Sequence, residues 1–72
     1  MATIRQRVEE ILKTGWFSNF QLNMILRTSS ADREARRVRE NPPAGYKFIT
    51  RIIAFYFLFS CYEFMLEELT EK

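Results

Sequence analysis

Apolar residues recur at helical spacing from the start of the chain, with Ile4, Val8, Ile11 and Leu12 on one side of a spiral. Thr3 followed three residues later by Gln6 forms a capping box, and Gly15 supplies a stop, so the pattern predicts a first helix over about 4–14. Ser18 with Gln21 repeats the box. Phe17 before that cap and Leu22 after it form a hydrophobic staple, and Leu22, Ile25 and Leu26 are expected to face inward from a short second helix over about 19–27. Thr28, Ser29 and Ser30 then interrupt the pattern with three hydroxyl residues able to cap a helix. A third helix follows from near Ser30 to Glu40, with Ala31, Ala35 and Val38 on its inner side, small enough to let its backbone approach the second helix closely. Asn41-Pro42-Pro43 ends it.

Beyond Ala44-Gly45 the chemistry changes. Tyr46 to Phe64 holds eight of the eleven aromatic residues together with Ile49, Thr50, Ile52 and Ile53, an enrichment that favours strands. Two antiparallel strands, about 46–55 and 60–67, form the expected hairpin, although the bend at Phe57 to Ser60 lacks glycine, asparagine or aspartate. The alternative is an all-α fold with a C-terminal helix from about residue 52, suited to Met65, Leu66, Glu67 and Glu68. The ten uncharged residues Ile52 to Cys61, in a run bracketed by Arg51 and Glu63, are too few to cross a bilayer as a helix, so no membrane association is expected. The preferred fold class is α+β, mainly α: a three-helix helix-turn-helix core over 1–41, a hairpin over 46–67 and an acidic tail over 68–72, all in one domain.

At 72 residues there is room for one core only, which at this size buries about 60% of the surface exposed by the unfolded chain. Such a core is marginal unless stapled, metallated or assembled. One cysteine, Cys61, and no histidine leave neither an internal disulfide nor the usual zinc ligands, so neither metal nor cofactor is expected and packing or self-association must suffice. The same residues argue against an enzyme: the usual neutral-pH acid/base is missing, and Gly15 and Gly45 cannot build a phosphate loop. Charges near the N-terminus, where a secretory signal would be apolar, together with the lone cysteine, predict a cytoplasmic protein.

The net charge of +2 conceals a segregation. Residues 27–51 hold seven basic and three acidic groups, and residues 52–72 hold one and four. A positive middle is the footprint expected of a polyanion-binding surface. The order of a short helix, a polar turn at Arg27-Thr28-Ser29 and an arginine-bearing helix matches a helix-turn-helix, whose last helix enters the major groove. Ser29, Ser30, Asp32 and Arg33 occupy its first turn, with Arg36 and Arg37 one turn on. Arginine can bond guanine through two parallel hydrogen bonds, and serine suits phosphate oxygens. Asp32 can cap the helix, accept from cytosine or orient Arg36.

Ser18, Leu22, Asn23, Arg33, Arg36, Arg37, Arg39, Gly45 and Tyr46 carry a resemblance, over roughly residues 8–51, to the small winged-helix DNA-binding domains of bacteria and their phages. It implies that Ser29, Ser30, Arg33, Arg36 and Arg37 contact duplex DNA, that Lys47 and Arg51 grip the flanking backbone, and that the protein regulates transcription as a dimer. The departure lies in the wing, which here carries Phe55, Tyr56, Phe57, Leu58 and Phe59 where a DNA-gripping tip is polar and basic. Phe55, Phe57 and Phe59 are therefore expected at an interface with a second copy or another protein. On that alternative the chain is a protein-binding adaptor or phage-type inhibitor acting through residues 52–66, and the arginines form surface pairs such as Asp32–Arg36 and Arg36–Glu40. Trp16, Phe17 and Phe20 are read as core beneath the first helix junction.

Overall fold

The computed structural model describes residues 2–56 and 59–70, with the backbone alone at 54–56 and 59–61. Its elements are α1 (Ile4–Leu12), β1 (Phe17–Ser18), α2 (Asn19–Leu26), α3 (Ala31–Glu40), β2 (Tyr46–Tyr56) and β3 (Phe59–Glu68). The fold is α+β: three helices against a three-stranded antiparallel sheet in the order β1-β3-β2.

Local chemistry accounts for the helix starts. Thr3 and Ser18 both form complete capping boxes, each hydroxyl accepting from the backbone N–H of Gln6 or Gln21 while that glutamine accepts from the cap residue's own N–H. The end of α1 comes earlier than expected, at Leu12, where Thr14 donates from both its N–H and its hydroxyl to the Ile11 carbonyl. Gly15 does not take a left-handed conformation there.

The start of α3 corrects the expectation that one of its own hydroxyl residues caps it. Ser30 makes no side-chain cap bond; the Asn23 side chain, reaching from α2, accepts from the Ala31 N–H at 3.0 Å. Thr28 Oγ1 accepts from the Ser30 N–H and lies 2.9 Å from the Ser30 hydroxyl, which closes the turn internally. The Asn23 carbonyl also accepts from the N–H groups of Arg27 and Thr28, and Arg27 sits at φ 53°, ψ 49°, the left-handed region that glycine usually fills. One asparagine thus ends α2 and starts α3.

Val8, Leu12, Leu22, Ala31, Ala35, Val38 and Leu66 form the buried core, flanked by the partly buried Ile11, Phe17, Leu26, Tyr46, Phe48 and Phe64. The small inner side of α3 is as expected, yet that helix packs more extensively on α1 than on α2. Ile25 and Phe20, expected inside, are 50% and 72% exposed, and Met24 is 64% exposed. Helix α2 is apolar on nearly every side, so its periodicity cannot select an inner face, and Leu22 alone is fully buried.

The C-terminal helix alternative is overturned across the described residues, which pair as strands from Tyr46↔Glu68 to Tyr56↔Phe59. Tyr46, Phe48, Phe64 and Leu66 alternate onto the core face. A bulge at Ile53 shifts the register between Ile52↔Tyr62 and Ala54↔Cys61. Of the expected bend, Phe57 and Leu58 lie outside the described residues, while Phe59 and Ser60 belong to β3. Glu68 closes the ladder instead of starting a tail, and the Leu69 N–H bonds the Gly45 carbonyl at 2.8 Å. Gly45, at φ 85°, fills the third position of a turn closed by Tyr46 N–H to Pro43 carbonyl, the position where positive φ is required. Strand β1 was not expected; it pairs Phe17↔Phe64 and Ser18↔Glu63.

The α2–α3 turn yields two predictions of opposite sign. Asn23→Ala removes the cap and should lower unfolding free energy by about 0.5–2 kcal/mol in urea titration, with Asn23→Asp near wild type because it keeps the acceptor. Arg27→Gly should raise stability by about 0.5–1 kcal/mol, since relief of left-handed strain exceeds the added chain entropy.

Candidate nucleic-acid interface

The burial of Ala31, Ala35 and Val38 orients every other residue of α3. With successive side chains turned by about 100°, Arg33 projects opposite the core, Arg36 and Arg37 lie to either side of it, and Arg36 shares with Asp32 and Arg39 the flank toward the sheet. All five are exposed. The alternative surface pairs do not form: among the described residues the ion pair on α3 is Arg37–Glu34, at 3.9 Å, and neither Asp32–Arg36 nor Arg36–Glu40 closes. Ser29 is exposed and Ser30 half-buried at the foot of the same helix, beside Arg33. The structure therefore brings Arg33, Arg36 and Arg37 onto α3 and Ser29 and Ser30 into the turn that leads into it.

Lys47 and Arg51 stand apart from that group. They lie on the outer face of the hairpin, each opposite a glutamate in register, Lys47↔Glu67 and Arg51↔Glu63. Arg51 Nε and Nη2 both donate to Glu63 Oε1, at 2.9 and 2.7 Å, and its guanidinium lies 4.2 Å from the centre of the Trp16 ring. Glu63 is the more enclosed partner, its side chain 14% exposed. Because Glu63 also pairs with Ser18 of β1, this cluster fastens the chain between α1 and α2 to the hairpin. Lys47 Nζ meets Glu67 at 3.2 Å between two half-exposed side chains, an arrangement worth little in water. Lys13 Nζ makes a second cation–π contact, 4.6 Å from the Tyr46 ring centre, joining the end of α1 to β2.

Between the sheet-facing flank of α3 and the inner face of the sheet lies an open cleft of about 170 Å³. Arg36, Arg39 and Asp32 form one wall, and Phe48 and Phe64, with ring centres 5.3 Å apart, form the other. Asn19, the first residue of α2, completes it; its Oδ1 is buried without a hydrogen-bond partner. Sequence reasoning had not singled out Asn19 or Arg39 as site residues. Arg39 was visible one turn beyond Arg36, whereas Asn19 comes close only through the pairing of β1 with β3.

Of the expected aromatic interface, Phe57 lies outside the described residues, and Phe55 and Phe59 are described through their ladder positions alone. At the root of that ribbon Ile52, Ile53 and Tyr62 are 50%, 48% and 44% exposed. Among the described residues no group of acidic residues, cysteine or histidine is arranged to hold a metal ion, and no helix is long and apolar enough to cross a membrane. No family model, curated protein or solved structure matches the chain significantly.

The two hairpin ion pairs should differ measurably. A double-mutant cycle on Arg51→Met and Glu63→Gln should give a coupling of about 0.5–1 kcal/mol, and the same cycle on Lys47→Met and Glu67→Gln should give under about 0.5 kcal/mol, by denaturant unfolding.

Proposed function

We propose that the chain binds duplex DNA as a small regulatory protein of winged-helix type, with α3 in the major groove. The observation that carries this reading is the exposed, largely unneutralised arginine surface of α3, set on a side chain stripe that is fully committed to the core. The element order supports it: a short α2, a four-residue turn, α3 and then a hairpin whose inner strand pairs with β1. Arg33 and Arg37 suit base edges, since a guanidinium can meet guanine O6 and N7 together, and Arg36 at the flank suits a phosphate. Ser29 and Ser30 at the helix start add hydroxyl and backbone donors for phosphate oxygens. Lys47 and Arg51 would assist from the hairpin, weakly, because each must leave or share a glutamate.

The exposed Ile52, Ile53 and Tyr62 favour a second reading, in which the ribbon meets a protein surface, whether another copy or a different partner. The readings separate by which residues matter. Under the first, Ile52→Ser with Tyr62→Ser leaves duplex binding in place; under the second, that pair removes the interaction and the arginine substitutions do not.

Fluorescence anisotropy against random-sequence duplex tests the first reading. With three phosphate contacts the association constant should fall about forty-fold between 50 and 200 mM salt. Arg33→Ala and Arg37→Ala should each cost about 1–3 kcal/mol against a preferred sequence and relax selectivity there. A salt-independent signal contradicts the reading.

A further inference from the structure

Strand β2 runs for eleven residues beside β3 and, among the described residues, has no strand on its other side. One contact fixes its bonding directions. The Leu69 N–H bonds the Gly45 carbonyl in the register that continues through Lys47↔Glu67, Ile49↔Met65 and Arg51↔Glu63, so those residues turn their N–H and C=O groups toward β3. Phe48, Thr50 and Ile52 therefore turn theirs outward, and among the described residues nothing bonds them there. Native edges are usually guarded by outward charge, proline or a bulge. This one has no proline, its Lys47 and Arg51 are drawn to glutamates of β3, and the bulge comes only at Ile53. Thr50 and Ile52 are exposed.

We propose that this edge pairs with β2 of a second copy, antiparallel, about a two-fold axis at Thr50. Elimination selects the register. Centring on Ile49 sets Lys47 against Arg51, and centring on Arg51 sets that cation against itself, pairings that cost stability. Centring on Phe48 calls on Tyr46, whose N–H is committed to the Pro43 carbonyl, and centring on Ile52 runs into the bulge. With Thr50 at the axis, Phe48 lies opposite Ile52 of the second copy, Thr50 opposite its equivalent and Arg51 opposite Ile49. These are aromatic–β-branched and Thr–Thr pairs of the kind that stabilise ladders, and no two cations are directly opposed. A foreign strand could satisfy the same backbone groups, but the edge complements itself, which favours a second copy. The contact is isologous and closes at two chains. The axis of such a pair stands perpendicular to the sheet, so both copies of α3 fall on one side of it. The inference goes beyond the DNA reading and does not depend on it.

Three residues from each chain bury less than the roughly 800 Å² per partner of a standard interface, so the dimer should be weak, with a dissociation constant of about 10 µM to 1 mM. Sedimentation equilibrium of the full chain without DNA, joined to amide hydrogen exchange at both ends of that range, tests it. Mass should approach twice 8.7 kDa, and the Phe48, Thr50 and Ile52 amides should slow together by about ten-fold as concentration rises. Thr50→Lys and Thr50→Glu each place like charges face to face across the axis and should weaken association by about ten-fold, with amide spectra showing the fold intact. An equimolar mixture of the two variants should restore it. A chain that stays monomeric throughout, a dimer whose three outward amides remain fast, growth beyond two chains, or a mixture no tighter than either variant would overturn the proposal.

Discussion

Everything outside the core depends on one narrow contact, the stripe of Ala31, Ala35 and Val38 sunk between α1, α2 and Leu66. Two alanines let the α3 backbone come close, which leaves Val8, Leu12, Leu22 and Val38 to fill the space as the largest fully buried side chains. A chain this short has no other place to put apolar volume, so α3 cannot rotate without exposing its share of the core. Its remaining positions then have fixed directions. Four arginines on a ten-residue helix would be unremarkable if the helix could turn; held in this way, Arg33 points away from the protein, Arg37 lies to one side of it, and Arg36 and Arg39 lie toward the sheet.

The rest of the molecule holds that helix in register. Asn23 joins the end of α2 to the start of α3 through its carbonyl and side chain together, so the turn geometry is set by one residue's hydrogen bonds. On the far side, β1 is only two residues long, but its pairing with β3 and the Trp16–Arg51–Glu63 cluster fasten the α1–α2 connection to the hairpin. The cations divide accordingly. Lys13, Lys47 and Arg51 are engaged within the fold by aromatic rings or glutamates, whereas the arginines of α3 are left to solvent apart from the long Arg37–Glu34 contact. That division, more than the net charge, concentrates the unneutralised positive charge on α3.

Features written in adjacent residues were legible in the sequence. Both capping boxes, the alanine and valine stripe and the proline stop lie within one turn or one element, where spacing alone determines which groups meet. The strands were legible through aromatic and β-branched enrichment, and Gly45 through its place before them. What escaped depends on distant pairing or on an ambiguous period. Phe17-Ser18 reads locally as a staple and a cap, and becomes a strand only because Phe64 and Glu63 arrive beside it. Asn19 and Asn23 look like ordinary polar positions until β3 and α3 are in place. Phe20 and Ile25 escape assignment because the five apolar residues of α2 are spread round the helix and carry no signal of which side meets the core, so the surplus is left on the surface.

The central claim is that α3 is held by its small side so that its outer arginines meet the duplex. The most direct measurement is a titration of duplex DNA into the labelled protein, observed at the arginine Nε–Hε resonances. The account predicts that Arg33, Arg36 and Arg37 shift and broaden together while Arg51, shared with Glu63, shifts less. Perturbation centred on Arg5 and Arg7 of α1, with the α3 arginines silent, would contradict it.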